Sequence, residues 1–206
     1  TINKFIENER LYANSFSSAV FVYRDLAGHI NGASWRDTTQ GSNLRGNAPG
    51  TDSEKGYFYI GNPHTAQKFI LTEAPIDLLS YYEIESLNVS DLSQTVILSL
   101  GGKPATRDLL EHLSRRQITL AEENIHLEII YANDDNRSGE KAFDRFLEKF
   151  EEIAPDLFAE MGDELPEKVN LVRVTPPLGK DWNEYLKILT NETEYPTLEE
   201  ISEHRL

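Results

Sequence analysis

Short apolar runs alternate with longer amphipathic segments throughout the second part of the chain. Each run is long enough for one buried strand, and in the segment after it apolar residues recur at helical spacing. The runs cover residues 69–72, 95–100, 127–132 and 169–174. Repeated strand–helix units are typical of a parallel sheet with helices on its faces. The pattern predicts an α/β domain over residues 67–190, built on a largely parallel four-stranded sheet flanked by helices.

The preceding residues have a different pattern, with alternating strand-like segments separated by turn residues. The predicted elements are a helix at 1–12, a hairpin of strands at 19–23 and 29–35, a Gly/Asn/Ser-rich loop at 41–55 and a third strand at 56–60. We therefore expect a small β-rich subdomain over residues 1–66, the α/β domain over 67–190, and an acidic C-terminal tail over 191–206.

Charge is distributed unevenly along the 206 residues, whose net charge is −15. Residues 1–68 carry 7 Lys and Arg against 6 Asp and Glu, whereas the rest of the chain carries 13 against 29. A compact duplex-binding domain usually presents a basic face, so this balance argues against tight nucleic-acid binding without a metal. Cysteine is absent, which excludes disulfides and thiolate-bound zinc and fits a cytoplasmic protein. No apolar stretch is long enough for a membrane span.

Acidic residues follow two of the predicted strands directly. Glu73 ends the first strand and Asp77 lies one helical turn later, while Asp134 and Asp135 end the third strand. The carboxyl ends of parallel strands lie at one edge of a sheet, so these carboxylates should share a crevice there. Hard oxygen ligands are those that Mg²⁺ or Mn²⁺ prefers. The alternative is that these acids cap helix N-termini.

Two further segments have both a functional and a structural interpretation. Lys180 and Asp181 precede the last predicted helix and would reach the same sheet edge, but Asp181 and Glu184 also fit a capping box. The turn at residues 101–103 brings Lys103, with Arg107 a turn later, to a helix N-terminus where phosphate could bind. A plain glycine turn between strand and helix is the alternative there.

Taken together, these segments resemble a Toprim domain, the α/β metal-binding module of bacterial primases, topoisomerases and related nucleases. Residues 73–77 resemble the family's strand-end Glu motif, with Ala where Gly is common. Residues 134–139 resemble the later Asp-x-Asp-x-x-Gly motif, except that Asn136 replaces its second acid. Residues 179–184 resemble the Gly-Lys-Asp segment of the primase branch. Residues 21–36 resemble the β-rich segment before Toprim, above all in proteins of plasmids and mobile elements whose first domain is of unknown function.

The resemblance implies roles for the site residues. It implies Glu73 as a metal ligand or general acid/base, Asp134 and Asp135 as metal ligands, and Asp77 as an outer-shell or second-metal carboxylate. Asn136 would be a weaker ligand because an amide carries no charge. Lys180 would act in catalysis and at phosphate. The remaining expected phosphate or nucleic-acid contacts are Arg36, Lys103, Arg107, Arg137 and Asp181.

The resemblance implies a Mg²⁺- or Mn²⁺-dependent enzyme acting on phosphodiester bonds, with primer synthesis favoured over strand cleavage. The expected partners are single-stranded DNA or RNA and nucleotides, within a larger polypeptide or replication complex. A non-catalytic Toprim module that binds metal, nucleotide or a replication partner is the alternative, favoured by the acidic charge and by Asn136. An unrelated α/β protein whose acids only cap helices is the third interpretation.

Overall fold

The computed structural model describes residues 2–52, 55–88, 91–123, 125–134, 136–161 and 170–190. The expected acidic tail at 191–206 and Asp135 lie outside the described residues. The elements in chain order are α1 (Ile2–Glu7), β1 (Leu11–Ala13), β2 (Ser18–Arg24), β3 (Ile30–Asp37), β4 (Arg45–Asn47), β5 (Phe58–Ile60), β6 (Lys68–Thr72), α2 (Pro75–Asn88), β7 (Thr95–Ser99), α3 (Arg107–Glu122), β8 (Glu128–Ala132), α4 (Arg137–Met161), β9 (Asn170–Val174) and α5 (Trp182–Thr190).

The larger sheet has the strand order β5-β7-β6-β8-β9. Strands β6 to β9 are parallel and correspond to the four strands expected from the apolar runs. Thr72 lies level with Ser99 on one side and Ala132 on the other, so three strands end together at one edge. This confirms the largely parallel α/β sheet and adds one antiparallel edge strand, β5, which pairs with β7.

Helices cover both faces of this sheet because its central strands alternate apolar side chains between two cores. Leu71 and its same-face neighbours pack against α3 and α4, through residues such as Leu109 and Phe146. Ile70 and its neighbours face the other way and pack with α2 and α5, including Leu78 and Trp182. A strand that is buried on both faces has a continuous run of apolar residues, and this is why these strands could be predicted from the sequence.

The smaller sheet is antiparallel with the order β1-β2-β3-β4 and corrects two expectations. The helix expected over 1–12 ends at Glu7, because Glu9 adopts a left-handed conformation with φ 54° and the chain then returns as β1 beside β2. The loop expected over 41–55 contains β4, which pairs with the end of β3. A three-residue strand has too few residues to show a period.

The third expected strand of the N-terminal unit belongs to the other sheet. The sequence grouped residues 56–60 with the hairpin, whereas β5 pairs with β7. Tyr57, one residue before β5, still forms a bridge to Arg24 at the end of β2. Phe58 packs edge-to-face on Phe21 with ring centroids 5.3 Å apart. The two sheets therefore share one core, and the division at residues 66/67 stays a sequence-based prediction.

Within the described residues, no helix combines the length and the apolar character that crossing a lipid bilayer requires.

Candidate metal centre and neighbouring clefts

The predicted acidic edge forms where β6 and β8 end side by side. Glu73 follows β6 directly, and Asp134 lies two residues after β8. The carbonyl oxygen of Glu73 accepts the N–H of Gly102 at 2.9 Å, which ties the turn after β7 to the same edge. Because β6 and β8 are neighbours in one parallel sheet, residues distant in sequence are brought together here.

Asp77 is buried, with only 6% of its surface exposed. It lies in the first turn of α2, where its Oδ2 accepts the N–H of Ala74 at 3.1 Å and so caps the helix. Burial first, and then the negative charges of Asp134 and Asp181, raise the pKa of Asp77 to about 7. Asp77 is thus both a helix cap and a member of the acidic group.

Asp134 is half-buried and is influenced by the same set of charges. Burial, followed by the charges of Glu73 and Asp181, raises its pKa to about 6. A hydrogen bond from Asn136 and the positive charge of Lys180 act in the opposite direction. The charges of Glu73 and Asp181 act on both Asp77 and Asp134, and such effects weaken with distance, so the four carboxyls occupy one small region.

The segment before α5 forms the expected capping box, while the functional role of Lys180 and Asp181 stays a prediction. Asp181 accepts the N–H of Glu184 at 2.7 Å, and the Glu184 carboxylate accepts the N–H of Lys180 at 2.7 Å. These bonds cap α5, as the capping-box interpretation requires. The charge of Asp181 nevertheless raises the pKa of Asp77 and that of Asp134, which places this segment at the acidic edge.

Asn136 caps a helix in the structure, and its expected role as a metal ligand stays a prediction. Its Oδ1 accepts the N–H groups of Ser138 at 2.8 Å and Gly139 at 2.9 Å, so it caps α4. Its Nδ2 donates to Oδ2 of Asp134 at 3.3 Å. The amide oxygen that could have bound a cation is used by the helix, and the amide nitrogen contacts an acid. The structure therefore places Asn136 as a cap that supports Asp134.

Two residues that sequence reasoning missed, Asn133 and Arg173, hold the Asp134 backbone in place. Buried Asn133 donates from Nδ2 to the carbonyl of Gly139 and accepts from Nε of Arg173 at 3.1 Å. Arg173 also donates to the Asp134 carbonyl at 3.3 Å. A Cβ on Gly139 would lie 2.4 Å from that same carbonyl oxygen. Arg173, between two valines in β9, was the available sequence signal.

The cations expected at phosphate have different surroundings. Lys103 donates to the Gly56 carbonyl at 3.0 Å and lies 4.5 Å from the centre of the Tyr57 ring. Arg107 pairs with Glu111 at 2.6 Å on α3. Arg137 is exposed in the first turn of α4. Arg36, on β3, faces a cleft next to Glu73.

Two clefts meet at Glu73 and Gly102. The first, here called the hairpin cleft, has a volume of about 480 Å³ and is lined by Trp35, Arg36 and Arg45 in addition to Glu73. The second, here called the α4 cleft, has a volume of about 180 Å³. Its charged lining residues are Glu73, Lys103, Lys141, Arg145 and Lys149. Glu73 of the acidic edge therefore lies where two clefts meet, and in each cleft cations outnumber carboxylates.

Within the described parts of the chain, no three His, Asp or Glu side chains are grouped closely enough to hold one metal ion. The helix caps explain part of this, because oxygens of Asp77 and Asp181 accept backbone N–H groups. The ligand set expected from the sequence was Glu73, Asp134 and Asp135, and Asp135 lies outside the described residues. Convergence of those three on one ion stays a prediction.

The class of protein follows from a parallel sheet, strand-end acids and an antiparallel sheet before them. Residues 70–186, more than half of the chain, match the family described as Toprim-like, and the chain belongs to that family. Residues 1–66 match a second family, DUF3991, described as a protein of unknown function. The comparison with curated proteins returned no match.

Solved primase structures share the fold. The E. coli primase catalytic core is 16% identical, with a TM-score of 0.53 over 98% of this chain and 59% of that one. A DnaG catalytic domain bound to ssDNA is 17% identical, with a TM-score of 0.52 over 98% and 58%. A primase domain from Pseudomonas aeruginosa is 14% identical, with a TM-score of 0.51 over 90% and 54%. This chain thus spans 54% to 59% of those primase chains, and identities this low show the fold alone.

Proposed function

We propose that this chain is a metal-dependent, nucleic-acid-processing Toprim module with primase-like nucleotidyl transfer as its reaction. One observation carries the proposal. Four carboxyls share one electrostatic environment at the sheet edge, beside two cation-lined clefts. These carboxyls are Glu73, Asp77, Asp134 and Asp181. Perturbed pKa values in a cleft are typical of functional sites.

The donor set suits a hard divalent cation. Toprim domains generally bind Mg²⁺, and carboxylate oxygens are the ligands that this ion prefers in proteins. Glu73 and Asp134, together with Asp135, would hold the ion, and Asp77 would support them from within the protein. Neighbouring carboxylates repel one another, which raises their pKa values. A bound divalent cation attracts the ionised forms and would therefore lower the pKa of Asp77 and that of Asp134.

Nucleotidyl transfer assigns distinct tasks to the residues of this edge. The bound cation would offset the negative charge that develops on the transferring phosphoryl group. Glu73, as a ligand or general base, would bind the ion or take the proton of the attacking hydroxyl. Lys180, whose charge already acts on Asp134, would bind a phosphate oxygen. Asn136 would keep the Asp134 carboxylate oriented through its 3.3 Å hydrogen bond.

The hairpin cleft is suited to nucleotide or strand binding. Its volume of about 480 Å³ lies in the usual range for ligand sites. Arg36 and Arg45 line it together with Trp35, and a cation pair beside an aromatic ring suits phosphates and stacked bases. The cleft opens at Glu73, so a ligand bound there would meet the proposed reacting centre.

A broader setting belongs to the same proposal. Primer synthesis is favoured over strand cleavage, because both the N-terminal segment and residues 179–184 resemble the primase branch. We place the protein in plasmid or mobile-element replication or mobilisation, acting on single-stranded DNA or RNA as part of a larger polypeptide or replication complex in the cytoplasm.

A non-catalytic Toprim module is the second candidate, and Asn136 is the observation that favours it. The family motif has an acid at this position, whereas the oxygen of Asn136 is used to cap α4. One charge fewer weakens the hold on a second ion. Such a module would bind metal, nucleotide or a replication partner without turning over substrate.

Titration calorimetry with Mg²⁺ and Mn²⁺ tests the metal site. We expect binding by the wild type and a loss of at least roughly tenfold in affinity for Glu73→Gln or Asp134→Asn, since second-shell changes alone cost that much. Glu151→Gln, at an exposed position on α4, removes the same charge away from the site and serves as the control. Wild-type affinity in both site variants would contradict the proposal.

Template-directed primer synthesis separates the two candidates. The catalytic proposal predicts metal-dependent extension that is absent in Glu73→Gln, whereas the non-catalytic module predicts metal binding without product. The template is a single-stranded oligonucleotide supplied with all four nucleoside triphosphates and Mg²⁺ or Mn²⁺.

A further inference from the structure

A row of cations runs along the N-terminal half of α4, in a chain whose net charge is −15. Lys141, Arg145 and Lys149 recur every four residues and so lie on one face of the helix. We call these three residues the basic ridge. All three are exposed, and none forms an ion pair or a side-chain hydrogen bond with the residues that the structure describes.

The basic ridge faces the α4 cleft rather than open solvent alone. All three of its side chains line that cleft, together with Lys103 and with Glu73 of the acidic edge. The charged lining therefore consists of four cations and one carboxylate. Like charges four residues apart destabilise a helix by a few tenths of a kcal/mol. A polyanion bound in the cleft would offset the repulsion among its four cations.

The length of the ridge indicates the kind of polyanion. The eight steps of helix from Lys141 to Lys149 rise about 12 Å, which is longer than the phosphates of one nucleotide and matches several consecutive backbone phosphates. A cleft of about 180 Å³ accommodates part of a single strand and is too small for a duplex. The cleft leads to Glu73, where the hairpin cleft also opens.

We propose that the basic ridge binds the phosphate backbone of a single-stranded nucleic acid and guides it to Glu73. This inference rests on the proposed function and adds a strand-binding surface on α4 that the sequence analysis did not assign. The strand would run along α4 in the α4 cleft, which leaves the hairpin cleft for a second ligand at the same carboxylate.

The test removes three charges at the ridge and compares this with the removal of three charges elsewhere. The ridge variant carries Lys141→Gln, Arg145→Gln and Lys149→Gln. The control carries Lys55→Gln, Arg115→Gln and Lys187→Gln, all at exposed positions outside both clefts. Both variants change the net charge by the same amount. Fluorescence anisotropy measures the affinity for labelled oligothymidylates of increasing length, with Mg²⁺ present and over a range of salt concentrations.

We expect the ridge variant to bind long strands at least roughly tenfold more weakly and to reduce the slope of log K against log salt by about 2, since each phosphate contact contributes about 0.7. The control should keep the wild-type slope. Equal losses in the two variants, or no loss in the ridge variant, would overturn the inference. Weaker binding of a nucleoside triphosphate with unchanged strand binding would overturn it too, because the ridge would then bind a mononucleotide.

Calorimetry with Mg²⁺ distinguishes failure of this inference from failure of the proposed function. The ridge variant should retain the wild-type Mg²⁺ affinity. If Glu73→Gln abolishes Mg²⁺ binding while the ridge has no effect on strand affinity, only the inference fails. If the wild type binds no Mg²⁺ while the ridge still determines strand affinity, only the metal-dependent function fails.

Discussion

Replacing Asp77 by Asn should make the metal-free protein more stable and weaken its metal site. The asparagine keeps the side-chain oxygen that accepts the Ala74 N–H, so the cap of α2 survives. It removes a carboxylate whose ionised form is disfavoured by burial and by the charges of Asp134 and Asp181. Active sites commonly sacrifice stability in this way for function.

The size of the effect follows from the pKa of Asp77. Folding raises it from 3.8 to about 7, and each unit corresponds to 1.36 kcal/mol. Between pH 3.8 and about 7 the folded state therefore binds more protons at Asp77 than the unfolded state does. The contribution of Asp77 to stability is thus greatest at low pH and is lost as the pH rises through 7. The ionised carboxylate therefore costs roughly 4 kcal/mol at pH 8 and less than roughly 2 kcal/mol at pH 5.

Urea unfolding in the presence of a chelator, at pH 8 and at pH 5, checks this prediction. Asp77→Asn should raise the free energy of unfolding at pH 8, and the difference from wild type should shrink at pH 5. Asp144→Asn, at an exposed position on α4, is the control and should change little. Added Mg²⁺ should stabilise the wild type more than Asp77→Asn. If Asp77→Asn is less stable than wild type at pH 8 without metal, the carboxylate is a stabilising cap and the reasoning is refuted.

Three further predictions concern the site and the fold around it. Gly139→Ala should cost about 1–3 kcal/mol of stability and weaken Mg²⁺ binding in calorimetry, because its Cβ would clash with the Asp134 carbonyl oxygen. The control Ser138→Ala, at the exposed neighbouring position, should change neither stability nor Mg²⁺ binding. Asn136→Asp should keep the helix cap and tighten binding of a second Mn²⁺, and an unchanged titration would show that charge at this position is not limiting. Burial lowers the pKa of His112, so stability should fall as the pH drops below 6.5, and thermal unfolding of His112→Gln should lack that component.

The alternation of strands and helices and the positions of the acids can be predicted from the local sequence. The three central strands of the parallel sheet, β6, β7 and β8, are buried on both faces, so each is an apolar run that can be recognised without knowing its neighbours. Strand-end acids are equally local, because Glu73 lies directly after one such run and Asp134 lies two residues after another. The burial of Trp182 was also visible in the helical spacing around it.

Which segments become neighbours, in contrast, depends on how the whole chain packs. The sheet to which β5 belongs depends on pairing across some forty residues, and three residues carry no register information of their own. The contact between Arg173 and Asn133 joins two strands through side chains that no short pattern connects. In the same way, the three cations of the basic ridge line a cleft with Glu73 only because α4 packs beside that residue.

The role of Asn136 shows the same limit at a single residue. A carboxamide after a strand can bind a cation through its oxygen or use that oxygen to cap the next helix, and the sequence suits both. The choice depends on where the N–H groups of Ser138 and Gly139 point once α4 has formed. Local sequence determines which chemical groups are present, whereas packing determines which partner each group meets, because hydrogen bonds and charge interactions act over a few ångströms in space rather than along the chain.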